Sequence, residues 1–333
     1  MDQQGLTQKD MIKYIGSLSK VSEILNGKRP LSLSMIRSLH EGLGIPYEVL
    51  LSEEGKQLDA CKYNIKDFPF TEMFKRDYFP SFTGNLSRAK DHAEELLTNF
   101  FSEFAKIETG LIYNRKSMQN SDNSALKAWQ ARVLNIATPQ EIPSLKPEKI
   151  NFDFLVKVGK LSFYESGPRV AVDLLKKFGI HFIILPHLPR THLDGACFKS
   201  SSGNPVIGMT LRYDRLDNFW FTLMHELAHV HLHLGENNHT FFDNTEEILG
   251  SDSEKENDAN HVAQEALIPM EYYPPEKLKS VRSTKEVMQI AEYLEISPAI
   301  VAGRVANETM NYQKFSSLLG WREVRKVFGA IIS

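Results

Sequence analysis

The chain has 333 residues, enough for two or three domains, and 42% of them are hydrophobic, so sizeable cores can form. A formal net charge of -3, with 24% charged residues, excludes a polycation, so any nucleic-acid binding must come from a local surface. The two distant cysteines, Cys61 and Cys197, exclude a disulfide framework. Because the chain also lacks a signal-peptide core and an apolar run of ~18 residues, we expect a cytoplasmic protein with no membrane partner.

Residues 1–55 predict one small all-α domain. The segment "LTQKDMIKYIG" has apolar residues at helical spacing, with Thr7 as a candidate N-cap and Gly16 as a stop. Three further helices are predicted over "KVSEILNGKRP", where Ser17 or Ser19 is the cap, over "LSMIRSLHEGLG", which ends at Gly44, and over "PYEVLL".

Residues 56–150 predict a helical connector. "NLSRAKDHAEELLTNFFSEFAKI" predicts one long amphipathic helix, and "NRKSMQNSDNSALKAWQARVLNIA" predicts a polar turn that becomes helical. "ATPQEIPSLKPEKI" has three prolines in fourteen residues and predicts a linker. The composition fits a bridge between the flanking domains and equally fits a dimer contact, so a homodimer stays open.

Residues 151–275 predict a domain that mixes helices with a few strands. "GPRVAVDLLKKFG" predicts a helix, "IHFIILP" a strand, and "LDGACFKSSSGNPVIGMTL" two strands around a tight turn. The helix "FTLMHELAHVHLHL" follows, then an acidic loop over residues 241–257, and then the helix "ENDANHVAQEALIP", stopped by Pro269. Residues 276–333 predict a C-terminal helical region, so the fold class as a whole is α+β.

The helix "FTLMHELAHVHLHL" contains the motif HExxH. Residues four apart on a helix lie about 40° apart around the axis and about 6 Å apart along it, so His225 and His229 can bind one ion. Glu226 lies beside them and is placed to act as a general base toward the attacking water. The flanking residues are apolar, as a helix through a core requires. The alternative is a helix whose two histidines only pack or face solvent.

Two further histidines of this helix do not fit the same ion. His231 lies about 240° around the axis from His225 and is expected to pack or to face solvent. His233 lies about 12 Å along the axis from His225, too far for a shared ion with ligand bonds of about 2 Å. A catalytic zinc therefore needs its third protein ligand from elsewhere in the chain.

The acidic start of the following helix offers the third ligand. Measured from the centre of that helix's apolar stripe, Glu256 lies at about 50°, Asp258 at about 110° and Glu254 at about 150°. Only Glu256 points toward the face that docks on the core. Asn260, one turn later on the same side, is placed to orient a ligand from the second shell. The alternative for each acid is a solvated charge at a helix N-terminus.

Substrate contacts remain open at this level. The strand "NPVIGMTL" precedes the HExxH helix and is predicted to pair with an extended peptide through main-chain hydrogen bonds. An oxyanion-stabilising group has four candidates, between which the sequence does not choose: His181, His187, His192 and Tyr213.

"RYDRLDNFWFTLMHELAHVHLHL", followed by "EKENDANHVAQEALIP", resembles the ImmA/IrrE metallo-endopeptidases over about residues 160–275. The resemblance implies a zincin-like domain in which His225, His229 and Glu256 bind Zn²⁺ and Glu226 is the catalytic base. It departs from the family pattern at Asp258 and Val262, which stand where that pattern has Glu and Phe. It also implies a protein substrate, a repressor-type regulator in a stress or mobile-element response.

"GLTQKDMIKYIG" and "SKVSEILNGKRPLS" resemble the Cro/C1-type (XRE) helix-turn-helix, especially its antitoxin forms. Family members carry a helix before "GLTQKD", and we expect this chain to lack that first helix. The motif implies that the second segment enters the major groove of DNA. The implied base contacts are Ser19, Lys20 and Ser22, and the implied phosphate contacts are Gln8, Lys28 and Arg29. Residues 1–50 hold six cationic and five acidic side chains, a weak electrostatic footprint for DNA.

Together these features predict a cytoplasmic zinc endopeptidase coupled to a DNA-binding domain. The alternative is an XRE-family transcriptional regulator or antitoxin whose zincin-like domain binds a partner without catalytic turnover. The function of Glu226 separates the two, because only an enzyme needs a general base.

Overall fold

The structure, a computed structural model, describes residues 6–51, 63–108, 121–189, 191, 193–233 and 254–329. It is rich in helices and has one three-stranded sheet, in keeping with the predicted α+β class. The chain divides into two compact units, Met1–Ser102 and Glu103–Ser333, so the division falls inside the predicted connector. Among the described residues, no helix has both the length and the apolar content to span a membrane.

The first unit is all α-helical in its described residues. Its helices are α1 (Ile12–Ile15), α2 (Leu18–Leu25), α3 (Leu33–Leu43), α4 (Tyr47–Leu51), α5 (Phe70–Lys75), α6 (Leu86–Asp91) and α7 (Ala93–Phe100). Helix α1 starts later than predicted. The Thr7 amide and hydroxyl both donate to the Asp10 carboxylate, and residues 8–11, just before α1, form turns. The candidate cap Ser17 is confirmed at the start of α2, and the predicted end of α3 is confirmed at Gly44, at φ 67°.

Helices α1 to α4 share a small hydrophobic core. Its fully buried members are Met11, Ile15, Val21, Met35 and Leu39. The partly buried side chains that pack against them also come from residues 6–50 alone. The first four helices therefore bury their apolar faces against one another.

The long helix predicted from residue 85 onward is wrong in its continuity. The segment forms α6, α7 and a third helix, α8 (Ser102–Glu108), with breaks at His92 and Phe101. Each short helix buries its own apolar side chains, such as Ala89 in α6, Leu97 in α7 and Phe104 in α8. The amphipathic pattern is present in all three helices, but tertiary packing determines where such a pattern breaks.

The second unit continues from α8 with a mixed set of elements. They are α9 (Ser121–Ala137), α10 (Phe152–Lys160), α11 (Gly167–Lys177), β1 (His181–Ile184), β2 (Gly195–Lys199), β3 (Pro205–Met209), α12 (Leu216–His233), α13 (Glu254–Leu267), α14 (Pro275–Ser280), α15 (Thr284–Leu294), α16 (Pro298–Glu308) and α17 (Glu323–Phe328). The predicted acidic loop over 241–257 lies outside the described residues as far as residue 253, and its last four residues belong to α13. The predicted polar turn that begins at residue 114 also lies outside the described residues, which resume at residue 121.

The sheet has the order β1-β3-β2, with β3 parallel to β1 and antiparallel to β2. The predicted hairpin of β2 and β3 is confirmed, and its turn is closed by the Ser200 amide, which donates to the Asn204 carbonyl at 2.9 Å. The prediction that β3 pairs with a substrate is wrong, because β3 is central and both its edges are already hydrogen-bonded to neighbouring strands. The edge strands of the described sheet are β1 and β2.

The two faces of the sheet are covered by different helices. A Cβ on Gly208 of β3 would lie 2.7 Å from Trp129 of α9, so α9 packs on one face. A Cβ on Gly195 of β2 would meet side chains of α12, so α12 packs on the other. The proline-rich segment predicted as a linker also packs here, because the Asn204 amide donates to the Pro143 carbonyl at 2.8 Å. Part of the predicted connector thus helps to build the second unit.

Candidate metal centre

Helix α12 passes through the core of the second unit. Its apolar side chains are at most 1% exposed at Trp220, Leu223, Met224, Leu227, Ala228 and Val230. This burial holds the helix on several sides at once. The polar residues that interrupt the apolar run, His225, Glu226 and His229, are therefore carried on a rigid element.

Three polar groups meet between α12 and α13. His225 Nε2 lies 3.0 Å from His229 Nε2 and 3.2 Å from a carboxylate oxygen of Glu256, and the other Glu256 oxygen lies 3.3 Å from His229 Nε2. A tetrahedral zinc with bonds of about 2.0–2.1 Å places its ligands about 3.3–3.4 Å apart. The donor set and its spacing therefore fit zinc, with the fourth position left for a water or a substrate.

Asn260 orients the first histidine. His225 Nδ1 lies 3.1 Å from the Asn260 side-chain oxygen, which can only accept a hydrogen bond, so Nδ1 donates its proton. The lone pair of the neutral imidazole is then on Nε2, the atom that faces His229 and Glu256. Asn260, one turn after Glu256, thus contacts the far side of the His225 ring from the site.

The neighbouring acids and histidines point elsewhere. Glu254 and Asp258 are exposed, whereas the Glu256 side chain is only 17% exposed. His231 is bonded through Nδ1 to the Ile150 carbonyl at 2.9 Å, away from the three ligand atoms. The side chain of His233 lies outside the described residues. The structure brings Glu256, and neither of the other two acids, to the pair of histidines.

Glu226 is buried, 5% exposed, and lies against the start of β2. A Cβ on Gly195 would lie 2.9 Å from Glu226 Oε1 and 2.7 Å from Thr222 Cγ2. Contacts this short are not tolerated, so β2 approaches the Glu226 carboxylate only because residue 195 has no side chain. Sequence reasoning missed Gly195, because its only local signal was an Asp-Gly pair before a strand, which resembles a turn.

One of the four candidates for an oxyanion-stabilising group lies on the wrong face of the sheet. His181 pairs with Val206 and so shares the face of Gly208, which α9 covers, away from α12. Burial lowers the pKa of His181, helped by the nearby Lys176 charge. His187 and Tyr213 stay candidates, and so does His192, which lies outside the described residues.

A pocket lies one helical turn from the metal ligands, between α12, α13 and α16. Phe221 lines it from α12, with its ring centroid 6.3 Å from that of His225, and Gln264 lines it from α13, one turn after Asn260. The remaining wall is mixed: Leu267, Ile268, Ile300 and Leu319 are apolar, whereas polar and charged residues, among them Arg215, Asp217 and Arg304, line the rest. Sequence reasoning missed this pocket, since α16 follows the predicted end of the peptidase domain at residue 275.

The predicted DNA contacts in the first unit fall into two groups: residues that form no ion pair with a carboxylate in the described part of the chain, and residues that do. Gln8 and Lys28 are exposed, and the Ser19 hydroxyl donates to Glu23 of the same helix at 3.2 Å. Ser22 accepts hydrogen bonds from the Asn26 amide through its carbonyl and hydroxyl oxygens. Two further predicted contacts form ion pairs: Lys20 pairs with Asp91, and Arg29 pairs with both Asp91 and Glu23.

Residues 175–306 match the family model Peptidase_M78, described as the IrrE N-terminal-like domain. The matched range contains His225, Glu226, His229, Glu256 and Asn260, and does not reach the predicted helix-turn-helix. The match supports the ImmA/IrrE resemblance and a metallopeptidase function for the second unit. No curated protein and no solved structure matched the chain.

Proposed function

We propose that the second unit is a zinc-dependent endopeptidase, and that residues 1–55 couple it to DNA. Cleavage of a repressor-type regulator would then change transcription in a stress or mobile-element response. The peptidase part of the proposal rests on the ligand atoms of His225, His229 and Glu256, which lie within 4.8 Å of one another. Glu226 lies on α12, the helix that carries both histidines. The family-model match over residues 175–306 supports the same reaction class.

Each polar residue of the site has a distinct role in peptide hydrolysis. Zinc, when bound by this donor set, polarises a peptide carbonyl and lowers the pKa of a coordinated water toward ~7. His225 and His229 supply imidazole nitrogens whose orientation is held by the buried helix and, for His225, by Asn260. Glu226 takes a proton from the attacking water and passes it to the leaving amine. Its burial keeps the carboxylate close to the site and away from bulk solvent.

The substrate would bind near the start of β2, beside the general base. This strand begins at Gly195, in contact distance of Glu226. The pocket beside Phe221 would receive a substrate side chain, because it lies one helical turn from His225 and combines apolar with polar lining residues.

The regulatory half rests on the helix-turn-helix resemblance of residues 1–55. The compact core of α1 to α4 and the Ser17 cap of α2 suit a small DNA-binding domain. We assign the activity to the cytoplasm, a reducing compartment that suits the buried Cys197.

The test is incubation of the purified, zinc-loaded chain with repressor proteins encoded beside its own gene. We expect discrete cleavage by the wild type, and loss of about 10²–10⁴-fold in rate for Glu226→Gln at unchanged zinc content. Glu254→Gln is the matched control, since it removes the same charge from an exposed residue. If Glu226→Gln leaves both cleavage and the transcriptional output intact, the chain acts as a binding protein and the peptidase proposal is wrong.

A further inference from the structure

The two cations of the predicted DNA-reading segment already share one carboxylate. Lys20 Nζ bonds to one oxygen of Asp91, and Arg29 Nη1 bonds to the other at 2.9 Å. The three side chains are only 10–23% exposed, so the cluster is largely withdrawn from solvent. The Asp91 carboxylate thus engages both Lys20, a predicted base contact, and Arg29, a predicted phosphate contact.

The beginning of α3 is occupied by a second carboxylate. The Leu33 amide donates to Glu95 Oε1 at 2.8 Å, and the Ser34 hydroxyl donates to the Asp91 carbonyl at 3.2 Å. Free amides at a helix N-terminus attract anions, and DNA phosphates use the same groups. Arg37, one turn further along α3, pairs with Glu94. Acidic residues of α6 and α7 thus satisfy groups on both α2 and α3.

These contacts remove half of the positive charge available to DNA. Of the six cationic side chains in residues 1–50, Lys20, Arg29 and Arg37 are paired with Asp91 or Glu94. The other three are Lys9, Lys13 and Lys28. Affinity for DNA falls with each cation that no longer reaches a phosphate, so this form should bind DNA weakly.

The core of α1 to α4 is made of residues 6–50 alone. Ile36 of α3 is also buried, at 4% exposed, but is not part of that core. Separation of α6 and α7 would leave the core closed while it breaks the ion pairs and hydrogen bonds described above. Screening by salt and competition from a polyanion weaken such ion pairs.

We propose that the acidic helices α6 and α7 act as an intramolecular substitute for DNA that holds the reading surface of α2 and α3 closed. DNA binding then requires their release. This inference rests on the DNA-coupling part of the proposed function and is independent of the peptidase chemistry.

The experiment compares two charge-neutralising variants of the full chain. Asp91→Asn with Glu94→Gln removes the anions that pair with Lys20, Arg29 and Arg37. Asp67→Asn with Glu72→Gln removes the same charge from residues of the first unit that make none of these contacts. Fluorescence anisotropy with a labelled random-sequence duplex at low salt measures affinity. We expect the first variant to bind about tenfold more tightly than the second, as release from a mostly closed state predicts.

A third variant identifies the released groups. Adding Lys20→Gln to Asp91→Asn with Glu94→Gln should cancel most of the gain. If circular dichroism shows that the double variant has lost helix, Glu95→Ala alone replaces it, since this change removes the acceptor of the Leu33 amide, and Glu72→Ala is its control.

Equal affinities for the two double variants, whether strong, weak or undetectable, overturn the proposal. Tight DNA binding by the wild type would agree with the DNA coupling but contradict the proposal that α6 and α7 close the reading surface. No binding by any variant would reject the DNA coupling as well, without bearing on the cleavage test with Glu226→Gln.

Discussion

The two units arrange their charged and polar side chains in different ways. In the second unit, two imidazoles and a carboxylate turn toward one another, and all three are electron-pair donors. In the first unit, the cations expected to meet DNA are already matched with carboxylates of the same unit. A set of electron-pair donors needs a cation from solution, whereas paired charges already neutralise one another. The second unit is therefore arranged to bind a metal ion. The first unit can bind DNA only after its cations are released from their carboxylate partners.

The largest expected effect is loss of metal on removal of a histidine ligand. His229→Ala should weaken zinc binding by more than the ~100-fold upper limit that loss of an outer partner causes, because a ligand itself is lost. His231→Ala is the matched control and should keep its zinc, because the His231 ring is hydrogen-bonded to the Ile150 carbonyl and not to the site. Competition with a coloured zinc chelator measures both. Equal loss of zinc affinity in the two variants would contradict the assignment of His229 as a metal ligand.

A methyl group at residue 195 tests the approach of β2 to Glu226. Gly195→Ala would place its Cβ within 2.9 Å of the Glu226 carboxylate, so the carboxylate must move. A displacement of about 1 Å at a catalytic group can cost up to ~100-fold in rate. We expect peptide cleavage to fall while zinc content stays the same. Unchanged cleavage would mean that Glu226 does not act from this position.

Removal of the Asn260 amide should have a smaller effect. Asn260→Ala leaves His225 free to rotate and should weaken zinc binding by ~10–100-fold, the range for partners that orient a ligand. Asn260→Asp keeps an oxygen acceptor for His225 Nδ1 and should recover most of the affinity. Chelator competition on the three proteins gives the order. Equal affinities for Asn260→Ala and Asn260→Asp would show that the hydrogen bond has no role in the site.

The smallest effect concerns His181, on the opposite face of the sheet. Burial lowers its pKa below the ordinary 6.5, so the unfolded chain takes up a proton before the folded chain does. The free energy of unfolding should therefore decrease as the pH falls below about 6.5, by at most ~1.4 kcal/mol per pH unit from this group. Urea unfolding at pH 7 and pH 5.5 should show a shallower pH dependence for His181→Leu than for the wild type. An equal dependence would remove His181 as the cause.

Local geometry made much of the donor set predictable. His225 and His229 are four residues apart on one helix, and Glu256 and Asn260 are four apart on another, so helical periodicity alone places each pair on one face. The choice of Glu256 over Glu254 and Asp258 needed only the direction of an apolar stripe. The structure turns the same face of α13 toward the histidines.

Long-range pairing was not predictable in the same way. The central position of β3 depends on β1, which is more than twenty residues earlier in the chain. The contact between Gly195 and Glu226 joins a strand and a helix, and no periodicity in either one indicates it. The pairing of Lys20 with Asp91 spans 71 residues, and it changes how the helix-turn-helix surface is understood. Such contacts are set by tertiary packing, which overrides local pattern.

The most direct test of the central claim is the zinc content and cleavage rate of Glu256→Gln beside Glu254→Gln. Both variants remove one carboxylate from α13, but only Glu256 lies with the two histidines. We predict that the wild type and Glu254→Gln bind one zinc per chain and cleave equally, and that Glu256→Gln loses both properties. Equal zinc content and cleavage in the two variants would contradict the metal centre and the peptidase function built on it.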